Sequence, residues 1–171
     1  MHVEVPELLT PRLRLRAYQP DDYAPFLAQV TDAERSRFSG GSVDRRTAWR
    51  VFLSHAGMWV LAGCGWWTIE LRETAGAIGH IGAFLRDGFP DGEVGWSVYP
   101  PHNGKGIATE AAGAAIAHAF DTHGWPRITA MIDDTNAPSI RVAERLGMHR
   151  DGVADLYGTQ VRRYALTRTR P

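Results

Sequence analysis

The stretch Val98-Tyr99-Pro100-Pro101-His102-Asn103-Gly104-Lys105-Gly106-Ile107-Ala108-Thr109-Glu110-Ala111 decides how the rest of the chain is read. A β-type run from Glu93 to Tyr99 breaks at two prolines, crosses a glycine-rich turn and enters an alanine-rich helix. Gly104 and Gly106 let the backbone pass close to a ligand without Cβ interference. The helix beginning near Gly106 offers free N–H groups and the positive end of its dipole, a pairing that suits a phosphate. Lys105 is the only lysine among the 19 lysines and arginines, and it stands in this loop. Two other phosphate motifs fail: Gly-x-x-x-x-Gly-Lys-Ser/Thr is absent, and Thr109 occupies the third glycine position of Gly-x-Gly-x-x-Gly.

One helix and one strand further on comes Asn136-Ala137-Pro138-Ser139-Ile140-Arg141-Val142-Ala143-Glu144-Arg145-Leu146-Gly147-Met148. Asn103-Gly104-Lys105-Gly106-Ile107-Ala108 resembles the pyrophosphate loop Gln/Arg-x-x-Gly-x-Gly/Ala of the GNAT N-acetyltransferase family. The Asn136 segment resembles that family's second signature, Asn-x-x-Ser/Ala followed by a helix and Leu-Gly-Phe/Met. The resemblance runs from about Leu9 to Leu166, and the start Pro11-Arg12-Leu13-Arg14-Leu15-Arg16 is similar to the subgroup holding ribosomal-protein N-terminal acetyltransferases. It implies acetyl-CoA as cosubstrate. Val98 would pair through its backbone with the pantetheine arm. The N–H groups of Asn103, Gly104, Lys105, Gly106, Ile107, Ala108 and Thr109 would hold the pyrophosphate, and Asn136 would hydrogen-bond the cofactor or the acceptor backbone. Asn103 departs from the family's Gln or Arg, which removes one phosphate contact and leaves the backbone donors.

Acetyl transfer to an amine requires the thioester beside the amine, loss of a proton from the amine, and stabilisation of the oxyanion and thiolate. By resemblance Glu93 is the candidate base, acting directly, through water, or by holding the ammonium; the alternative is a solvated carboxylate at a strand end. Ala143 stands where many family members carry a tyrosine acid, so Ser139 or a water is left to protonate the thiolate. Asn136 equally suits a helix N-cap. Tyr99 and His102 flank the loop and are expected to pack or stay solvated.

Composition sets limits around this. A chain of 171 residues with 44% hydrophobic and 22% charged residues supports one domain over residues 1–171. A formal net charge of zero gives no global field toward nucleic acid, membrane or a polycationic acceptor. Cys64 is unpaired, and there is no basic-then-apolar leader and no apolar run of about 18 residues, so a soluble, cytoplasmic protein is expected. No His-Glu-x-x-His or Cys/His cluster suggests a metal.

Alternation of Arg12, Arg14 and Arg16 with Leu13 and Leu15 predicts a half-buried strand whose arginine face is a solvated edge. Helices are predicted after Pro20 through Val30, over Asp44–His55, Gly106–His123 and Ala137–Leu146, with Gly147 as C-cap. Strands are predicted over Trp66–Leu71, Ala77–Leu85, Glu93–Tyr99, Arg127–Ile132 and Gln160–Leu166. In the resembled family the first two helices line the acceptor site. The order β-α-α-β-β-β-α-β-α-β-β implies an α/β fold of α+β character, a mixed and mostly antiparallel sheet flanked by helices. Trp49, Trp59, Trp66, Trp67 and Trp96 are expected mainly in the core, the alternative being the lining of an acceptor pocket, and an exposed Gly65-Trp66-Trp67 cluster would suit a homodimer. The activity expected is N-acetylation of a primary amine, either a protein N-terminus or a small molecule, and the alternative is a non-catalytic acyl-CoA-binding module.

Overall fold

The computed structural model describes residues 3–169. Its strands are β1 (Leu8–Leu9), β2 (Leu13–Arg16), β3 (Gly65–Leu71), β4 (Thr74–Leu85), β5 (Gly92–Val98), β6 (Arg127–Ile132), β7 (His149–Leu156) and β8 (Thr159–Thr167). The helices are α1 (Tyr23–Val30), α2 (Ala33–Ser36), α3 (Arg45–Ala62), α4 (Ile107–Thr122) and α5 (Ala137–Arg145). All eight strands form one sheet in the order β1-β2-β3-β4-β5-β6-β8-β7. Every neighbouring pair is antiparallel except β5 and β6, which run parallel. The mixed sheet expected from the sequence is present.

Side-chain alternation gives the sheet two different faces. One carries Leu13, Leu15, Trp67, Ile69, Ile81, Ala83 and Val94, packed under Ile107, Ala111, Ala112, Ala115, Ile116 and Ala119 of α4. All four of those alanines are fully buried, so α4 sits close to the strands. Each large side chain in this layer contributes about 1.5–3 kcal/mol of burial free energy. The opposite face presents Thr68, His80 and Phe84 to α1 and α3, where Phe26 lies 5.5 Å from the His80 ring and 5.4 Å from Phe52.

Three expectations need correction. The arginine face is solvated at Arg12 and Arg14 but not at Arg16, which is buried, bidentate on Asp22 at 2.8 and 2.9 Å and bonded to Glu70 at 3.2 Å. Desolvating a guanidinium is tolerable only because two carboxylates and the hydroxyl of Thr68, which donates to Asp22 at 2.8 Å, close the network. Helix α3 runs about two turns past His55, to Ala62, carrying Gly57 within it and ending only at Gly63, whose φ of 65° makes it the left-handed C-cap. The Gly65-Trp66-Trp67 cluster is not exposed. Trp67 is fully buried, and Trp66 lies between His55 (4.4 Å) and Phe84 (4.9 Å). Gly82 makes that seat, since a Cβ there would come within 2.6 Å of the Trp66 ring. The exposed large apolar side chains of α3 are instead Trp49, Leu53, Val60 and Leu61.

Candidate active site

Pairing between β5 and β6 is confined to Gly92 with Ile128 and Glu93 with Thr129. Beyond that vertex β5 stays with β4 as far as Val98, while β6 follows β8 as far as Ile132. The two strands therefore part, and their facing backbone edges are left open. Because they run parallel, both deliver their following helices, α4 and α5, to the same wide end of the opening.

The loop after β5 occupies that wide end. None of the backbone N–H groups from Asn103 to Thr109 has an acceptor among the described residues, and the first helical bond of α4 runs from Glu110 N–H to the Gly106 carbonyl at 3.1 Å. Gly104 (φ 75°) and Gly106 (φ 77°) hold left-handed backbone. A Cβ on Gly104 would meet nothing within 4 Å, so the conformation rather than crowding demands glycine there. Asn103 and Lys105 are exposed and Ile107 is buried beneath the loop. The Thr109 hydroxyl, in the first turn, is buried and has no hydrogen-bond partner among the described residues. Unpaired donors at a helix N-terminus, with an orphaned hydroxyl behind them, fit a phosphate.

A brace from the other end of the chain shapes this loop, and sequence reading did not find it. Arg12 donates to the Lys105 carbonyl at 2.9 Å and to Glu110 at 2.6 Å, while the Thr10 hydroxyl donates to Glu110 at 2.6 Å. Its signal was the Pro11-Arg12-Leu13 start, whose arginine was read as solvated.

Across the opening, Asn136 caps α5 by accepting from Ser139 N–H at 3.2 Å. The Ser139 side chain is half-buried, and its hydroxyl makes no hydrogen bond to the described residues. Ala143 is fully buried in the core, where a tyrosine would not fit without displacing it. Val98, Asn103 to Thr109, Asn136 and Ser139 thus gather around the wide end. Glu93 is held at the vertex, five residues of strand away, about 17 Å at roughly 3.4 Å per residue.

Glu93 is buried, not solvated, and Arg86 engages both its oxygens at 2.7 and 2.8 Å. Each oxygen keeps a second lone pair. Arg86 belongs also to a cleft of about 290 Å³ lined by Ser54, His55 and Met58 of α3, Trp66, Phe84 to Asp87 and Tyr157, and Glu93 lies beside it, paired across the strands with Phe84. Deeper on the same face His80 Nδ1 and the Tyr99 hydroxyl lie 2.8 Å apart. Burial, reinforced by neighbouring His55, pushes His80 down to about 3, and burial takes His55 down to about 4. Both imidazoles are neutral at neutral pH. Burial also keeps the Tyr99 hydroxyl protonated. Tyr99 therefore packs, as expected, while His102 is half-buried in the loop.

The model of the acetyltransferase (GNAT) domain matches residues 12–149. The chain belongs to the GNAT acetyltransferase family. A crystal structure of the acetyltransferase from Agrobacterium tumefaciens str. C58 is 32% identical with a TM-score of 0.89, covering 98% of each chain. The uncharacterized N-acetyltransferase YnaD of Bacillus subtilis is 38% identical over 84 residues, and the chain spans about half of its length, 49%. The fold is shared with Mycobacterium smegmatis RimJ in complex with CoA-disulfide, at 22% identity and a TM-score of 0.71 over 91% of this chain and 81% of that one. In the GNAT fold seen here, no group of three or more His, Cys, Asp or Glu among the described residues is placed to hold a metal ion. No helix among them is long and apolar enough to cross a membrane.

Proposed function

We propose that the protein transfers the acetyl group of acetyl-CoA to a primary amine by direct attack in a ternary complex. The observation that carries this reading is the unbroken row of unpaired N–H groups from Asn103 to Thr109 at the wide end of the β5–β6 opening. Those donors take the pyrophosphate. The open edge of β5 up to Val98 accompanies the pantetheine arm, and about 17 Å of strand brings the thioester to the vertex beside Glu93. That RimJ, a protein of the same fold, was crystallised with CoA-disulfide supports the choice of coenzyme.

At the vertex the free lone pairs of Glu93, oriented by Arg86, receive the acceptor ammonium or a water that removes its proton. The neutral nitrogen attacks the thioester carbonyl, the oxyanion collapses, the C–S bond breaks and the thiolate takes a proton. Ser139, with its hydroxyl uncommitted, or a water supplies that proton; Asn136 steadies the first turn of α5 around it. The unpaired Cys64 is buried, in keeping with a cytoplasmic home.

Replacing Gly106 tests the reading. Gly106→Val places a β-branched residue at φ 77° in the loop, which a folded protein accommodates only by moving the donors. Calorimetry is expected to show CoA affinity lowered at least tenfold with the fold retained by circular dichroism. Unchanged affinity in a folded variant would remove the loop from the site.

A further inference from the structure

The cleft beside Glu93, two of whose lining residues are Arg86, bonded to the Glu93 carboxylate, and Phe84, its cross-strand neighbour, has walls of a particular chemistry. His55, Trp66 and Phe84 form a continuous ring stack, with centroids 4.4 Å and 4.9 Å apart and interplanar angles of 9° and 25°. Tyr157, 80% exposed, and Leu85, 52% exposed, stand at its mouth. The volume, about 290 Å³, lies at the small end of ligand pockets, which span roughly 300–1,000 Å³.

Its charges are few. Arg86 is committed to Glu93 through both carboxylate oxygens, and its guanidinium lies 5.5 Å from the Phe84 ring and 5.7 Å from the Tyr157 ring. Asp87 has no ion-pair partner among the described residues. His55, next to them, is neutral because burial disfavours its cation. With Glu93 counted beside the lining, Arg86, Glu93 and Asp87 leave one carboxylate in excess, enough to balance a single ammonium. Each further cation brought into the cleft would lose its water without gaining a partner.

We propose that the acceptor is a primary amine carried on one compact, flat apolar group and bearing no second cation: an arylalkylamine, or a peptide whose first residue is aromatic. This rests on the acetyl-transfer reading above. The flat group lies against the His55–Trp66–Phe84 stack under the Tyr157 ring, which directs the nitrogen toward Glu93 at the vertex. Ring-on-ring contact is worth more than the same area of aliphatic contact, so selection favours aryl over alkyl bodies. Polyamines and aminosugars, with several ammonium groups on flexible or polar frames, match neither the walls nor the charge.

The full chain is assayed with saturating acetyl-CoA by thiol release, against 2-phenylethylamine, ethylamine, spermidine, kanamycin and the peptide Phe-Ala-Ala. Phenylethylamine or the peptide is expected to exceed ethylamine and spermidine at least tenfold in kcat/KM, the better of the two identifying the source of the amine. Tyr157→Asn keeps the left-handed backbone of that turn (φ 54°) with a residue that accepts it. It should lower kcat/KM for the aryl acceptor three- to tenfold, mostly through KM, and narrow the ratio of aryl to ethylamine rates by a similar factor. Equal rates for aryl and ethyl amines, or a preference for spermidine or kanamycin, would overturn the acceptor class while leaving acetyl transfer standing. No thiol release with any amine, although CoA still binds by calorimetry, would overturn both.

Discussion

Glu93 shows how far a single residue can be read. Its place at the head of β5 was legible, because the run before the loop is regular and apolar. Its environment was not. The two alternatives weighed from sequence were a free base and a solvated carboxylate, whereas the folded chain buries it against Arg86, seven residues earlier across the β4–β5 connection. A carboxylate held at both oxygens is suited to orienting an ammonium or a water. Glu93→Gln keeps the shape and removes the charge. Turnover should fall by about 10²–10⁴-fold with CoA affinity little changed, and partly recover at high pH as more amine arrives deprotonated. A pH–rate profile of the variant superimposable on the wild type, with chemistry rate-limiting, would exclude Glu93 from the reaction.

At the scale of elements, the loop and α4 could be located from local signals: two prolines, two glycines and a run of alanines. The groups that hold the loop in place could not, because Thr10 and Arg12 lie about a hundred residues away in sequence. Arg12 ties the Lys105 carbonyl to Glu110, so the direction of the loop's free N–H groups depends on the bend between β1 and β2, more than half the chain away in sequence. Arg12→Met keeps much of the aliphatic stem and removes these bonds. The expected result is CoA affinity reduced about three- to thirtyfold, from loss of one or two charge-assisted bonds of roughly 1.5–3 kcal/mol partly offset by solvent at this exposed site. Melting temperature should hardly move. An unaltered CoA dissociation constant would show that the loop keeps its shape unaided. The end of α3 and the strand β7 were harder to read for a related reason. β7 is largely exposed and lacks apolar alternation, so its pairing with β8, and not its own pattern, makes it a strand.

Across the whole molecule, the face of the sheet toward α1 and α3 is stabilised by polar groups that dislike acid. His80 is buried and neutral, with its folded value near 3 against about 6.5 unfolded. A depressed histidine leaves stability intact above the unfolded value. Below it the unfolded chain binds a proton that the folded chain refuses, until pH reaches the folded value. Stability should thus fall by about 1.4 kcal/mol per pH unit below 6.5, about 2 kcal/mol at pH 5 from His80. Asp22 is also penalised by burial, but bonds from Arg16, Gln19 and Thr68 hold it below the usual carboxylate range, so its contribution is lost only under pH 4. Thermal denaturation at pH 7 and pH 5 should show this loss in the wild type and a flatter dependence in His80→Gln; identical dependence in both would place the acid sensitivity elsewhere. From the sequence alone came the alternating strands, the capped helices, the glycine turn and the resemblance they compose, because propensities, caps and turn chemistry act within a few residues of one another. Only the tertiary structure decided which charges are buried, that Glu93 is held by Arg86, that Arg12 braces the loop, and that three rings from α3, β3 and β4 line one cleft. Those depend on contacts between segments distant in sequence, and no local pattern encodes which distant side chain will arrive.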